Sequence, residues 1–322
     1  DRTGKRVVLL CFCVVFLLGC ALAAFSGGAV AFSLGACFIG AGYSVCETVG
    51  SAALSDFSRE DGARWVNFSQ GALSFGAVIS PILTQVSIKA FGSSWRLVFF
   101  VCLIGALLSA ILLFFSRIPA ARAVESPHTS ALPVQYFRDL PFALFFFSIL
   151  LYVGLENGFG YFTESLFSLE LGTVSLGAYA ISAYWASMAF SRLLFGMLRM
   201  KPERALVYCL GASAALFAAL SLLKSPVPAI VACALIGFAF GPVWSNLMNL
   251  AAARSPNASG GAMGLMSAGC GLGGAVFPAL MGLISDSFNL RAAFLLLALT
   301  AAAAAALSLT AKFRQQKLLP KG

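Results

Sequence analysis

Charge is scarce in this sequence. Only 21 Lys and Arg and 12 Asp and Glu occur in 322 residues, 10% of the chain. A soluble domain carries roughly 25% charged residues, and 60% of this chain is apolar. A water-soluble globule, a secreted disulfide scaffold and a disordered chain are therefore excluded. Histidine is nearly absent: His128 stands alone in a loop, so no Ser/His pair exists and no His–Glu metal motif lies in an apolar run. No ATP-binding motif is present either, and these absences argue against an enzyme or a cofactor. The nine Cys (11, 13, 20, 37, 46, 102, 209, 233 and 270) show no loop pairing and no zinc spacing, and read as small packing residues. Ten-residue alternating segments, the mark of a membrane barrel, are missing too.

What the chain has is long apolar runs. A bilayer is crossed by roughly 17–25 such residues in a helix, and ten helices are predicted near 7–25, 29–54, 65–88, 97–116, 140–168, 172–198, 205–223, 228–252, 260–284 and 292–311. Ser26-Gly27-Gly28 divides the first two, and Gly241-Pro242 is expected to kink the eighth. The fold class is an all-α membrane protein. Loops on one side hold 16 of the 21 basic residues, against Lys89, Arg96, Lys224 and Arg291 on the other, with Arg192 near the inner end of its helix. By the positive-inside rule the basic side, including residues 1–6 and the C-terminus, is cytoplasmic. The net charge of +9 thus reflects topology and not a nucleic-acid partner. The lipid bilayer is the partner, and a multi-pass protein of the plasma membrane is expected.

An internal repeat organises the chain. Phe38-Ile39-Gly40-Ala41 and Leu235-Ile236-Gly237-Phe238 lie 197 apart, and the same shift carries Pro81 to Pro278 and Arg2 to Arg199. Gly76-Ala77-Val78 matches Gly274-Ala275-Val276 after one insertion. Six helices separate the copies. The expected division is 1–116 for four helices of an N-terminal half and 117–139 for a proline-interrupted cytoplasmic linker. A six-helix C-terminal half (140–311) and a tail (312–322) follow. The helix near 140 has no partner 197 residues earlier, so the chain reads as the last ten helices of a twelve-helix protein.

Three acidic residues fall inside predicted spans: Glu47, Glu156 and Glu164. An ionisable group at mid-membrane costs about 2.5–3.5 kcal/mol on insertion scales and needs a cavity or a partner. Burial favours the neutral carboxyl, so proton uptake can follow access to water. Glu47 shares an arc with Tyr43, Ser44, Thr48 and Ser51, and Glu156 shares one with Asn157, Gly160, Thr163 and Glu164. Asn67, Gln70, Gly71 and Ser74 form a third stripe, and Ser245, Asn246 and Asn249 a fourth. Such stripes imply a shared hydrated cavity. Glu164, near a boundary, reads as an interfacial carboxylate, and Asn67 reads equally well as a helix-bridging amide. Gly269, Gly271, Gly273 and Gly274 imitate a phosphate loop but sit in an apolar span, where close helix packing accounts for them.

Asp1-Arg2-Thr3-Gly4-Lys5-Arg6, ahead of a membrane helix, resembles the signature loop of the major facilitator superfamily, and Arg192 to Gly196 with Arg199 resembles its second-half counterpart. Cys46-Glu47-Thr48, Asn67-x-x-Gln70, Ser74-Phe75-Gly76-Ala77, Tyr152-Val153-Gly154-x-Glu156 and Ser182-Ala183-x-Trp185 are similar to its fucose-permease-like branch of sugar/proton symporters. The resemblance implies that Glu47 binds substrate and couples it to a proton. The expectation is a monomeric secondary transporter of a small polar solute, sugar foremost, with a proton or sodium as coupling ion. Glu47 and Glu156 are the coupling candidates, and Gln70, Asn157, Trp185 and Asn246 the solute-binding ones. Asp1, Arg2, Gly4 and Arg6 are assigned to gating, with Asp1 bracing the helix start at Ser259-Gly260. A proton-antiport exporter of amphipathic compounds is the alternative, favoured by 30 Phe, and a membrane sensor a more distant one.

Overall fold

The computed structural model describes residues 4–57, 61–91, 96–116, 133–198, 200–255 and 258–318. Asp1, Arg2 and most of the linker, with His128, lie outside them. Every regular element among the described residues is helical. Four helices form a first group: α1 (Lys5–Ala24), α2 (Ala29–Phe57), α3 (Gly62–Phe91) and α4 (Arg96–Phe115). A single turn, α5 (Pro133–Tyr136), precedes the second group of α6 (Leu140–Ser165), α7 (Val174–Met197), α8 (Pro202–Leu222), α9 (Pro226–Phe240), α10 (Val243–Arg254), α11 (Ser259–Ser287) and α12 (Leu290–Leu318). Proline opens α6, α8 and α9, where its missing N–H is no loss. Gly4, at φ +79°, takes the backbone conformation that leads into α1.

Among the described residues, eight spans are long and apolar enough to cross a bilayer, α9 and α10 counting together as one. The other long helices, α3 and α7 (30 and 24 residues), carry Arg64, Asn67, Gln70 and Arg192, as interior helices of the bundle can. Large apolar side chains remain exposed around the outside, such as Leu18, Leu112, Phe115 and Leu299. That surface suits lipid and not water.

The repeat is written in the helix boundaries. A shift of 197 residues carries the starts of α1, α2 and α3 onto those of α8, α9 and α11, and the end of α2 onto the end of α10. Side chains repeat as well. Arg96, opening α4, donates to the Ser26 carbonyl (2.8 Å), and Arg291, near the start of α12, donates to the Leu223 carbonyl (2.8 Å), 197 residues beyond Ser26. Each arginine ties the start of its group's last helix to the turn after that group's earlier helix. Arg291 also pairs with Glu170 at 2.8 Å.

The copies differ at Gly241-Pro242. Here α2 runs unbroken, whereas its counterpart parts into α9 and α10, because proline lacks the N–H that would bond the carbonyl four residues back and clashes with it. That carbonyl, of Phe238, instead accepts from the Ser191 hydroxyl (2.6 Å), while Gly241 accepts from Arg192 Nε (3.2 Å) and Phe240 from the Tyr152 hydroxyl (3.3 Å). Broken backbone is tolerated at membrane depth only where protein satisfies it. Three side chains do so here.

Glycine sets the tightest crossings. A Cβ on Gly19 would stand 2.5 Å from Ile39 N, and one on Gly273 only 1.9 Å from the Leu150 carbonyl oxygen. The glycines of 269–274 are thus packing residues at 269, 273 and 274, while Gly271 faces open space. Gly273→Val should lower the melting temperature of the purified protein, as overpacking costs about 1–3 kcal/mol. Gly271→Val should melt like the parent. The second group's core centres on Phe159, fully buried and ringed by Tyr184 (4.7 Å between centroids), Phe217 (5.7 Å) and Phe294 (6.3 Å).

The two groups meet chiefly through α3 against α7, with α2 touching α10 and α11. This seam positions the candidate site.

Candidate functional site

Two carboxylates, one from each group, approach the seam. Glu47 lies ten residues before the end of α2, and its Oε1 accepts from Gln70 Nε2 of α3 at 3.0 Å. The Tyr43 hydroxyl, one turn earlier on α2, hydrogen-bonds the same carboxyl. Glu156, in the middle of α6, stands 3.8 Å from Arg192 Nη2 and hydrogen-bonds the Tyr152 hydroxyl. Its side chain keeps 16% of its surface accessible. Both acids are partly buried.

Arg192 joins the two. It belongs to α7 and is 2% exposed. Besides Gly241, its Nη1 donates across the seam to α3, to the Gln70 carbonyl (3.1 Å) and the Ser74 hydroxyl (2.5 Å). Gln70 therefore holds Glu47 through its side chain and Arg192 through its backbone. Two acids and one cation thus lie along the seam, and the arginine fork supplies the directed donors that a lysine could not.

Nearer the helix ends the seam is clasped twice more. Ser55 Oγ of α2 hydrogen-bonds Asn249 Oδ1 of α10 at 2.9 Å. Beyond it, Lys5 of α1 forms an ion pair with Asp56 of α2, and both meet Ser259 Oγ of α11 at 3.2 Å. Arg6 donates to the Phe114 carbonyl at the end of α4, and Gly4 starts α1. Ser259 is thus gripped by Lys5 and Asp56, while its expected partner Asp1 lies outside the described residues. Lys5 is 7% exposed and Asp56 36% at the side chain, so such a pair is worth about 1 kcal/mol or less. Lys5→Met should raise maleimide labelling of a cysteine placed at Ser51, 3% exposed behind the clasp, by up to about fivefold.

Of the expected solute-binding residues, Gln70 joins the network. Asn157 points elsewhere: its amide nitrogen sits beside Gly274 of α11, 2.5 Å from where a Cβ would stand. Pro278 leaves that glycine's carbonyl without its helical donor. Trp185 is half-buried and packs edge-on against Tyr184 (5.3 Å, 72°). Asn246 is buried on α10, and the side chain of Trp244 on the same helix hydrogen-bonds the Cys270 thiol of α11. Glu164 is exposed, as an interfacial carboxylate would be. Sequence reading missed Lys5 and Asp56 as the clasp and Arg192 as the bridge. For Arg192 a signal existed, since it follows the fully buried Tyr184 and Met188 at four-residue steps along one face.

The sequence model of the Major Facilitator Superfamily matches residues 1–261 and 230–321. Among solved structures, the transporter FucP in its outward conformation superposes with a TM-score of 0.83 at 18% identity, covering 95% of this chain and 83% of that one. A second structure of FucP, the fucose:proton symporter of E. coli, gives 0.81 at 19% identity, with 95% and 84% covered. The human organic anion transporter TETRAN gives 0.76 at 18%, covering 95% and 77%. The proton:xylose symporter XylE gives 0.71 at 16%, covering 99% and 81%. At these identities the likeness is one of fold. No curated protein matches the chain by sequence.

Proposed function

Because the chain belongs to the Major Facilitator Superfamily, a family of transporters and not of enzymes, we propose that it carries a small polar solute, a sugar foremost, together with protons by alternating access. One observation carries the reading: a carboxylate from each group reaches the seam, and one buried guanidinium links them, facing Glu156 directly and reaching Glu47 through Gln70. Lipid would not tolerate that cluster, and rigid packing would not need it. Placed between two halves that rock against each other, it meets water from one face at a time.

We assign the clasped end to the cytoplasm, from the 16 basic residues on that side, and the chain to the plasma membrane as a monomer. Similarity to a transporter in its outward conformation supports reading the clasps as a closed inner gate. Glu47 serves as the coupling acid beside Gln70. Trp185 and Trp244 offer flat apolar faces to a sugar ring, and Gln70 and Asn246 offer amides to its hydroxyls, whereas Asn157, turned to Gly274, is left out of the solute site. Ion and solute are coupled when both favour the same occluded state, since a ligand shifts an equilibrium only through differential affinity.

The test uses the full chain in proteoliposomes, with a panel of radiolabelled hexoses and pentoses. Accumulation should require an outside-acid pH gradient, collapse with a protonophore and ignore a sodium gradient. If no sugar moves while an overexpressing strain gains resistance to amphipathic compounds, the exporter reading replaces this one.

A further inference from the structure

One corner of the bundle holds cations that no side chain among the described residues neutralises. Helices α8 and α12 pack side by side. They run antiparallel, since Arg291 near the start of α12 donates to the Ser221 carbonyl at the end of α8 (3.0 Å). Lys312 stands 21 residues on from Arg291, and Lys201 stands 20 back from Ser221. With the same rise per residue along both helices, the two lysines come level again at the basic end of the bundle. Arg204, one turn inside Lys201, and Arg314, just past Lys312, join them. Lys201, Arg204 and Arg314 are exposed and Lys312 is partly buried. Among the described residues none of the four has an ion-pair partner, although Glu203 adjoins Arg204. The matching corner of the first group is spent: Lys5 pairs with Asp56, and Arg6 donates to the Phe114 carbonyl.

Deeper in the bilayer, the outward faces of the two groups differ as well. The shift of 197 residues carries Val14, Leu18 and Leu22, exposed on α1, onto Gly211, Ala215 and Ala219, exposed on α8. Beside them α12 turns Ala302, Ala303 and Ala306 outward, whereas α4 presents Leu107, Leu108 and Leu112. A Cβ on Gly211 would meet nothing within 4 Å. A low apolar track thus leads up to four cations. Small residues on a lipid-facing helix also suit a second helix, but a two-fold copy on this face would set the four cations against their own images. A molecule with an apolar tail and an anionic head complements both parts.

We propose that the outer surface of α8 and α12 binds an anionic phospholipid of the leaflet on the basic side. Lys201, Arg204, Lys312 and Arg314 hold its phosphate, and one acyl chain lies over the small residues of the two helices. The inference needs only that the chain spans a bilayer, and it stands or falls apart from the sugar-symport reading.

Native mass spectrometry of the full chain, released from nanodiscs of equal phosphatidylglycerol and phosphatidylcholine, tests it. The parent should retain one phosphatidylglycerol in preference to phosphatidylcholine. Near a membrane surface each Lys or Arg is worth about a fivefold preference. Arg204→Gln combined with Arg314→Gln should therefore lower the ratio of the two lipids by up to about 25-fold, while Lys224→Gln, at the opposite end of α8, should keep it. Gly211→Leu combined with Ala215→Leu gives α8 the relief of α1. It should reduce the retained lipid and keep the parent's melting temperature in phosphatidylcholine alone. Equal retention of both lipids by the parent overturns the inference. So does a ratio unchanged in either paired variant, or an equal fall in Lys224→Gln. A dimer that the Gly211 and Ala215 pair dissolves overturns it too, because the face is then a contact between copies.

Discussion

Glu47→Gln is expected to abolish accumulation driven by a pH gradient while leaving solute exchange across the same liposomes. A gradient of two pH units offers one coupled proton about 2.7 kcal/mol, a concentration ratio of about 100. In the variant the ratio should fall to about 1. Gln is the informative substitution because it keeps the shape of the site. Its carbonyl oxygen can still accept from Gln70, as Glu47 does at 3.0 Å, and from the Tyr43 hydroxyl. What it lacks is a proton to lose. Counterflow needs both loaded forms to interconvert but no net proton movement, so it should persist. Driven uptake that survives Glu47→Gln intact would remove Glu47 from the coupling, and loss of counterflow too would make it a binding residue alone.

The second large effect is on stability. Arg192→Leu strips a donor from the carbonyls of Gln70 and Gly241 and from the Ser74 hydroxyl, and leaves Glu156 without its cation. Breaking a buried pair by removing one partner costs about 3–5 kcal/mol. Thermal melting of the purified variant should show a loss of that order and little transport. Arg192→Leu combined with Glu156→Leu buries no lone charge, and most of the lost stability should return while transport does not. The double-mutant cycle isolates the coupling between the two side chains. If single and double variants melt alike, the pair contributes nothing and Arg192 acts only through its bonds to α3 and the chain break.

How much of this was legible in the sequence depends on the kind of information each feature carries. Helix number, the break at Gly241-Pro242 and the 197-residue shift were readable, because hydropathy and proline chemistry act locally. The Glu47–Gln70 contact was half-readable: each residue lay on a polar stripe, and two stripes on adjacent helices tend to face each other. Arg192 was placed rightly near the inner end of its helix, five residues before the end of α7, but its part in the site went unread, because distance along a helix says nothing about which side it faces. The packing of α3 along α7 decides that, and it turns Arg192 inward. Asn157 taught the converse. It neighbours Glu156 in sequence, yet one residue is about 100° of helix, enough to send its amide to Gly274 of α11 instead. Lys5 and Asp56 were hidden for another reason: neither a loop motif nor a helix end announces which of its charges will meet Ser259, 254 and 203 residues away.

The divided helix has a mechanical meaning. One copy of the ancestral unit retains a 29-residue rod, while the other holds two short pieces of 15 and 12 residues. Two bodies of unequal stiffness do not share a bending load equally: under load the rod should swing whole, and flexure should gather at the joint beyond Phe240. Duplication here has yielded a strut and an elbow, and the side chains that bind the elbow, from Tyr152, Ser191 and Arg192, are placed to feel each flexing.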